Sequence, residues 1–354
     1  MIKRLRNVLR EQNLEGMFVQ GKENVRYLSG YTSGDASLLV GQKSQYLLTD
    51  PRYVEQAEAE CPEFEVVNWR AKGSTVIGAV AALCAKDGLE SLAFEAEVLS
   101  YGRWAELSEK FNGRLAGVDG VVEKMRAVKT DWEISCMRAA CEISCRALDR
   151  LLGEIRVGVT EKELAAKLSL YMVEAGADTQ PYGNILISGA RTSLLHGIPS
   201  GKAVEYGDFV LMDFGCQYKG YRSDMTRTVV AGKADAKQKE VYSLEKTMFE
   251  DGMRAIKAGA PLKDVYAATV KAAAGTEYER YLYSGIGHGI GLHVHEIPFL
   301  SPNAEAVYET GNVTTFEPGI YIPGWGGVRI EDQMLITEKG YDNFVRFTHE
   351  LIEL

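Results

Sequence analysis

The chain has 354 residues, 46% of them hydrophobic and 25% charged, with a formal net charge of −9. That length exceeds one ordinary core and implies two domains. The acidic balance argues against nucleic acid and anionic membrane surfaces as partners, and no apolar run reaches the roughly 20 residues that a membrane-spanning helix needs.

The first segment, MIKRLRNVLREQNLEG, is amphipathic and charged. It lacks the continuous apolar stretch of a secretory signal, so the protein is expected in the cytoplasm. Residues 1–120 then alternate between two patterns. A helix near 3–13 precedes the strand GMFVQ, and a strand pair around SLLV and YLLTD leads into a helix from Arg52 to about Glu60. FEVVNW and SLAFE read as strands, STVIGAVAALCAK and YGRWAELSEKF as helices. Such alternation predicts an α/β layer. Residues 1–122 are expected to form this N-terminal domain and 123–354 a second one, with the crossing in Val121–Thr130.

The second domain opens on a long helix in TDWEISCMRAACEISCRALDRLLGEI, whose apolar residues recur at three- and four-residue steps. Thr130 or Asp131 is the expected N-cap, and Gly158 closes the unit. VTEKELAAKLSLYMVEAGA is a second helix, with Thr160 and Glu163 spaced as a capping box. Beyond residue 180, NILISG, DFVLMDFGCQY, YRSDMTRTVVAG, VTTFEPGIYI and GVRIEDQMLIT are strand-like, interrupted by helices near 235–257 and 262–274. This is an α+β pattern. None of the six cysteines forms a CxxC. Packing is expected of them, rather than a disulfide framework or a zinc site from Cys136, Cys141 and Cys145.

Two pairs of acids have a notable spacing. Asp213 lies five residues before Tyr218 and Asp224 five residues after Lys219. A hairpin centred between Tyr218 and Lys219 sets the two carboxylates opposite each other, with Cβ atoms about 5 Å apart. Glu317 and Glu331 are likewise each seven residues from Gly324, in the turn-rich PGWGG. Two anions facing each other on an apolar sheet repel, and one would be driven to protonate unless a cation joins them. Four carboxylates balance two divalent ions. Of five histidines (His196, His288, His293, His295 and His349), three fall within GHGIGLHVHE. The glycines there do not have dinucleotide-loop spacing, and predict close backbone approach to a crowded site. His349 reads as an ordinary tail residue.

The set YLSGYTSGDASLLV, LLTDPRYVEQA, VEKMRAVKTDWEISCMRAACEIS, LMDFG, YRSDMTRT, GHGIGLHVHE, FEPGIYIPG and VRIED, in that order, resembles the proline-specific metallopeptidases: Xaa-Pro aminopeptidase and Xaa-Pro dipeptidase. The resemblance spans nearly the whole chain. It implies a C-terminal pita-bread (creatinase/aminopeptidase-like) α+β domain behind a creatinase-like α/β domain. It also implies two divalent ions, manganese foremost with cobalt or zinc as substitutes, held by Asp213, Asp224, His288, Glu317 and Glu331. Asp224 and Glu331 would bridge the ions, and metal coordination would activate the attacking water. Glu317 would also handle its proton. His196 and His295 would contact the substrate carbonyl and stabilise the charge that develops there. Arg329 and Tyr321 would stand behind the ligands. A homodimer acting on peptides with proline in second position is the implied assembly.

Two positions depart from the family pattern. His293 stands where many relatives carry Glu, and Phe299 where dipeptidases often carry the Arg that binds a dipeptide's carboxylate. Phe299 therefore points to aminopeptidase action on longer peptides, with an Xaa-Pro dipeptidase as the alternative. A metal-free creatinase-like hydrolase and a non-catalytic binding relative are more remote, since both typically lack the full ligand set. A methionine aminopeptidase would not need the N-terminal domain.

Overall fold

The structure is a computed structural model describing residues 1–179 and 183–354. It forms two compact units, Met1–Arg126 and Ala127–Leu354.

The first unit is built on six strands: β1 (Gly16–Val19), β2 (Ala36–Gly41), β3 (Gln45–Thr49), β4 (Glu65–Asn68), β5 (Ser91–Glu95) and β6 (Arg114–Val118). They lie in the order β4-β3-β2-β1-β5-β6. The central pairs β1–β2 and β2–β3 are antiparallel, while β3–β4, β1–β5 and β5–β6 are parallel. The parallel connections run through helices, as the alternating pattern predicts. Phe18, Leu39, Leu48 and Leu92 project from the sheet onto Ile77 and Val80 of the helix Val76–Asp87 and Leu107 of the helix Tyr101–Lys110. Strand β6 and the helix Val121–Ala127 were not anticipated. The latter takes up most of the stretch read as a crossing.

In the second unit the helix Asp131–Leu152 starts from a capping box, Thr130 with Glu133, and the helix Glu161–Glu174 from another, Thr160 with Glu163. Each box satisfies backbone N–H groups that would otherwise lack partners. The long helix stops at Gly153, short of the expected Gly158. Among the described residues twelve strands follow: β7 (Ile185–Ser188), β8 (Phe209–Phe214), β9 (Gln217–Tyr218), β10 (Tyr221–Arg222), β11 (Met225–Val230), β12 (His288–Gly289), β13 (Glu296–Phe299), β14 (Val313–Phe316), β15 (Gly319–Ile322), β16 (Gly326–Arg329), β17 (Asp332–Thr337) and β18 (Gly340–Asn343). They make a β11-β8-β7 sheet, a β13-β12-β14-β17-β18 sheet and two short ribbons, β10-β9 and β15-β16. Phe209, Val230, Phe316, Val328 and Met334 pack against Val241 and Phe249 of the helix Ala236–Ala255.

The first hairpin differs from the expected register. Tyr218 pairs with Tyr221 and Asp213 with Thr226, so the turn is Lys219-Gly220. Both turn residues have positive φ, 50° and 88°. A two-residue turn of that hand matches strand twist, and glycine at its second position makes it accessible. Asp213 therefore faces Thr226 rather than Asp224. Asp224 lies two residues before Thr226, in the break between β10 and β11.

The second hairpin has the expected centre. Ile322 pairs with Gly326 and Gly319 with Arg329; beyond a short break, Phe316 pairs with Asp332. One register runs through both ladders, and Glu317 and Glu331 lie in the break.

Candidate metal centre

Asp213 sits inside β8, paired with Thr226, while the other three acids are placed by backbone bonds made where their strands are interrupted. The Asp224 N–H donates to Gln333 Oε1 at 2.9 Å, the Glu317 N–H to the Ile286 carbonyl at 2.9 Å and the Glu331 N–H to the Thr226 carbonyl at 3.1 Å. His288 enters on β12, where Gly287 and Gly289 let the backbone come close. A Cβ on Gly289 would lie 2.2 Å from the Ile297 carbonyl oxygen, and one on Gly287 would lie 2.5 Å from that of Thr315. The glycine-rich segment is thus explained by packing.

Asp224, His288 and Glu331 bring one ligand atom each within 4.8 Å of one another, all three residues buried. Asp213 and Glu317 line the same cavity of about 680 Å³, as do His196, His293, His295, Tyr321 and Arg329. In this structure the Asp213 carboxylate is held by Arg329, whose Nη2 donates to Oδ2. Glu317 Oε1 lies 3.3 Å from His288 Nε2. His288 Nδ1 meets the Gly289 carbonyl at 3.0 Å, which leaves Nε2 to face Glu317 and, at 3.8 Å, Asp224. With Nδ1 turned to that carbonyl, Nε2 is the nitrogen that a metal would take.

The electrostatics are those of a site short of positive charge. Burial drives the Glu331 carboxyl well above its usual range, and the charges of Asp224, Glu317 and Asp213 push it further. Glu331 Oε2 accepts from Thr226 Oγ1 at 2.7 Å, but among the described residues Oε1 is buried without a partner. Burial also raises Asp213, against the pull of Arg329. For Glu317 burial acts upward too, yet the hydrogen bond and charge of His288 win and hold it low. For His288 burial acts downward, and Glu317 with Asp224 overrides it, raising the imidazole to about 9. His295 is lowered, by burial and then by His288, with their rings edge to face at 4.5 Å. An orphaned carboxylate oxygen amid oxygen donors and one imidazole fits a hard divalent cation.

Arg329 is buried, with Nη1 donating to Tyr321 Oη at 2.8 Å and Nε to Thr226 Oγ1 at 3.1 Å. Burial raises the Tyr321 hydroxyl to about 12, so it stays protonated beside this guanidinium. The guanidinium changes the charge balance. Four carboxylates and one Arg leave three net negative charges, between what one and two divalent ions neutralise.

His196 and His295 are exposed at the cavity wall, and Phe299 is 52% exposed there. His349 is no bare tail residue: its Nε2 lies 2.7 Å from Asp332 Oδ2, within a buried pair of Asp332 and Arg227. Sequence reasoning missed Thr226, Gln333, Thr315 and Arg222. The first could have been found by the period of two from Asp224. Gln333 and Thr315 show themselves only through the fold that joins β14 to β17.

A unit of paired sheets flanked by helices, with carboxylates and an imidazole converging on one cavity, is that of a metal-dependent hydrolase. Residues 135–338 match the metallopeptidase family M24, and residues 1–128 match the creatinase/prolidase N-terminal domain. The chain belongs to metallopeptidase family M24 and is a peptidase. It is 34% identical to the Xaa-Pro dipeptidase of Pyrococcus horikoshii, over 99% of this chain and 98% of that one. Among solved structures it resembles the Xaa-Pro dipeptidase from Bacillus anthracis (TM-score 0.95, 37% identity, 100% and 99% covered). It also resembles the X-Pro aminopeptidase from Thermotoga maritima (TM-score 0.94, 31% identity, 100% and 99% covered). Among the described residues no helix is long and apolar enough to cross a membrane.

Proposed function

We propose that this chain hydrolyses the peptide bond before proline, with Xaa-Pro dipeptides as its principal substrates. The observation that carries the reading is the buried trio Asp224, His288 and Glu331, with Asp213 and Glu317 on the same cavity. These five residues would hold two divalent ions, manganese foremost. Such ions polarise a carbonyl and lower the pKa of water to near neutrality. His196 and His295 would donate to the carbonyl oxygen as negative charge builds on it. Glu317 would accept the proton of the attacking water on a carboxylate oxygen and return it to the departing proline nitrogen. Arg329 would keep Asp213 oriented, with Tyr321 braced behind it.

Dipeptides come first because full-length relatives at both sequence and structure level are Xaa-Pro dipeptidases. Phe299 supports a second reading, aminopeptidase action on longer peptides, as does the likeness to the Thermotoga enzyme. Metal-stripped protein should release the first residue from Xaa-Pro only after manganese is restored, and more slowly from Xaa-Pro-Yaa. Release from neither set would sink the proposal, and faster release from tripeptides would favour the second reading. Glu317→Gln should abolish turnover.

A further inference from the structure

We propose that Arg227, braced by Asp332 and His349, is a positioning residue of the metal centre that fixes the backbone of Glu331 from behind. Its basis is the reading above, in which Glu331 is a metal ligand.

The need for such a brace follows from the break in the ladder. Glu331 lies between β16 and β17 and meets β11 through an isolated bridge to Thr226. It shares its cavity with Asp213, Asp224 and Glu317. Their mutual repulsion displaces any acid whose backbone is free to move. The Glu331 N–H donates to the Thr226 carbonyl at 3.1 Å, as a strand residue would. The Glu331 carbonyl instead accepts from a side chain, Arg227 Nη1, at 2.7 Å. The same nitrogen donates to the Thr226 carbonyl at 2.9 Å. One guanidinium nitrogen thus spans both backbones, while the Thr226 hydroxyl holds the Glu331 carboxylate at 2.7 Å. Strand alternation puts these two holds on opposite faces of β11.

Arg227 is itself fixed. Nη2 donates to Asp332 Oδ1 at 2.8 Å and to the Phe347 carbonyl at 3.1 Å, and Nε donates to the Thr348 carbonyl at 2.8 Å. With the two bonds from Nη1, every N–H of the guanidinium is used. Asp332 is buried, and its Oδ2 meets His349 Nε2 at 2.7 Å. A carboxylate only accepts, so His349 carries its proton on Nε2. Asn343 Nδ2 donates to the same oxygen.

His349 is placed in turn by the helix Ala236–Ala255. Its ring lies 4.7 Å from that of Phe249, and its carbonyl accepts from Tyr242 Oη at 3.1 Å. Residues 347–354 then run beside β11. The Val230 N–H donates to the Ile352 carbonyl, and the Leu354 N–H to the Val230 carbonyl, each at 2.9 Å. An ordinary buried ion pair ends on its two charges. This one ends on the carbonyls of Thr226 and Glu331, which places residues distant from the cavity in control of an acid inside it.

The test reads manganese binding rather than turnover. Wild type, Arg227→Lys, His349→Leu, His349→Gln and Glu353→Gln are titrated with Mn2+ well below their melting temperatures. Free Mn2+ is counted by electron paramagnetic resonance. An ammonium cannot make all the bonds of this guanidinium, so Arg227→Lys should weaken binding about ten- to a hundredfold, as loss of an outer partner of a metal site does. His349→Leu, one bond further out, should weaken it about tenfold, and His349→Gln, which keeps an N–H donor, should restore most of that. Glu353→Gln is the control. It loosens the same segment where Glu353 Oε1 accepts the Ala234 N–H at 2.8 Å, and should lower the melting temperature with manganese affinity unchanged.

Equal affinity in wild type, Arg227→Lys and His349→Leu overturns the proposal, as does a loss that Glu353→Gln shares. If Arg227→Lys does not fold, His349→Leu against His349→Gln decides alone, and equal losses in those two overturn it. A wild type that binds no Mn2+ removes the ligand assignment and this proposal with it. A wild type that binds Mn2+ but cleaves no Xaa-Pro substrate refutes the proposed reaction and leaves the role of Arg227 standing.

Discussion

Glu317 and Glu331 occupy opposite sides of a single break in one antiparallel register. Gly319 pairs with Arg329 on one side of them and Phe316 with Asp332 on the other. The break turns two strand residues out of the ladder while keeping them opposed. Like charges so placed destabilise a sheet, and Glu331, 1% exposed, bears most of that cost.

Replacing Glu331 with Gln should therefore stabilise the metal-free protein. The amide keeps the volume and a partner for Thr226, and removes one of four crowded carboxyls. We expect the melting temperature in chelator to rise by about 2–4 °C, the response to roughly 1 kcal/mol in a domain of this size. The increment that excess manganese gives wild type should be lost. Calorimetry with and without the metal measures both. A lower melting point in chelator, with the metal increment intact, would contradict the assignment of Glu331 as a ligand.

Arg329→Lys tests whether the guanidinium positions Asp213. One ammonium cannot reproduce donation to Asp213, Tyr321 and Thr226 together. The expected cost is about 2 kcal/mol of stability and at least a tenfold fall in kcat at saturating manganese, with KM nearly unchanged. An unaltered kcat would show that Asp213 needs no such support.

What was legible in the sequence was geometry that depends on chain distance alone. The Glu317–Glu331 register followed from the midpoint at Gly324, because the same register continues past the break. The Asp213–Asp224 pairing did not follow, because the centre of that hairpin depends on which residues accept positive φ. Gly220 with Lys219 does, and this moves the turn by one residue. The capping boxes at Thr130 and Thr160 were legible because they are local. Thr315 and Gln333 were not, since their roles come from a pairing between strands distant in sequence. Arg329 is visible in the sequence as a neighbour of the ligands, but its burial against Asp213, which puts a positive charge inside the cluster, comes only with the fold.

The segment that carries His295 is anchored by a buried ion pair. Lys129 Nζ lies 3.1 Å from Glu296 Oε2, their side chains 1% and 6% exposed, and Glu296 Oε1 accepts the His293 N–H at 2.9 Å. Lys129→Met leaves a buried anion and should cost about 3–5 kcal/mol. Lys129→Met with Glu296→Gln should recover part of that loss. Urea denaturation of the two variants measures the difference, and a double variant no more stable than the single one would show that the charge of Glu296 is not the source of the cost.

Glu161 gives the expected pH dependence. It is fully buried at the first turn of the helix Glu161–Glu174 and grips both ends of the segment that carries His196. Oε1 accepts from the Ser188 N–H at 2.8 Å and Arg191 Nε at 3.1 Å, and Oε2 from the Ser200 N–H and hydroxyl, each at 2.8 Å. Burial alone would raise this carboxyl. The bonds from Ser200 and Ser188 and the charge of Arg191 outweigh it, so the folded state holds Glu161 below its ordinary value. An unfolded glutamate titrates near 4.3. The folded state therefore binds fewer protons, and the contribution is complete above about pH 4.3 and lost as pH falls through the lower folded value. Glu161→Gln forgoes it at every pH. At pH 7 the variant should be about 2 kcal/mol less stable, the usual loss for bonds to a charged acceptor, and the gap should close as pH falls below about 4. Urea midpoints for both proteins across that range decide the matter. A gap that is constant with pH would mean that the carboxylate's charge contributes nothing, and a gap that widens on acidification would reverse the sign of the argument.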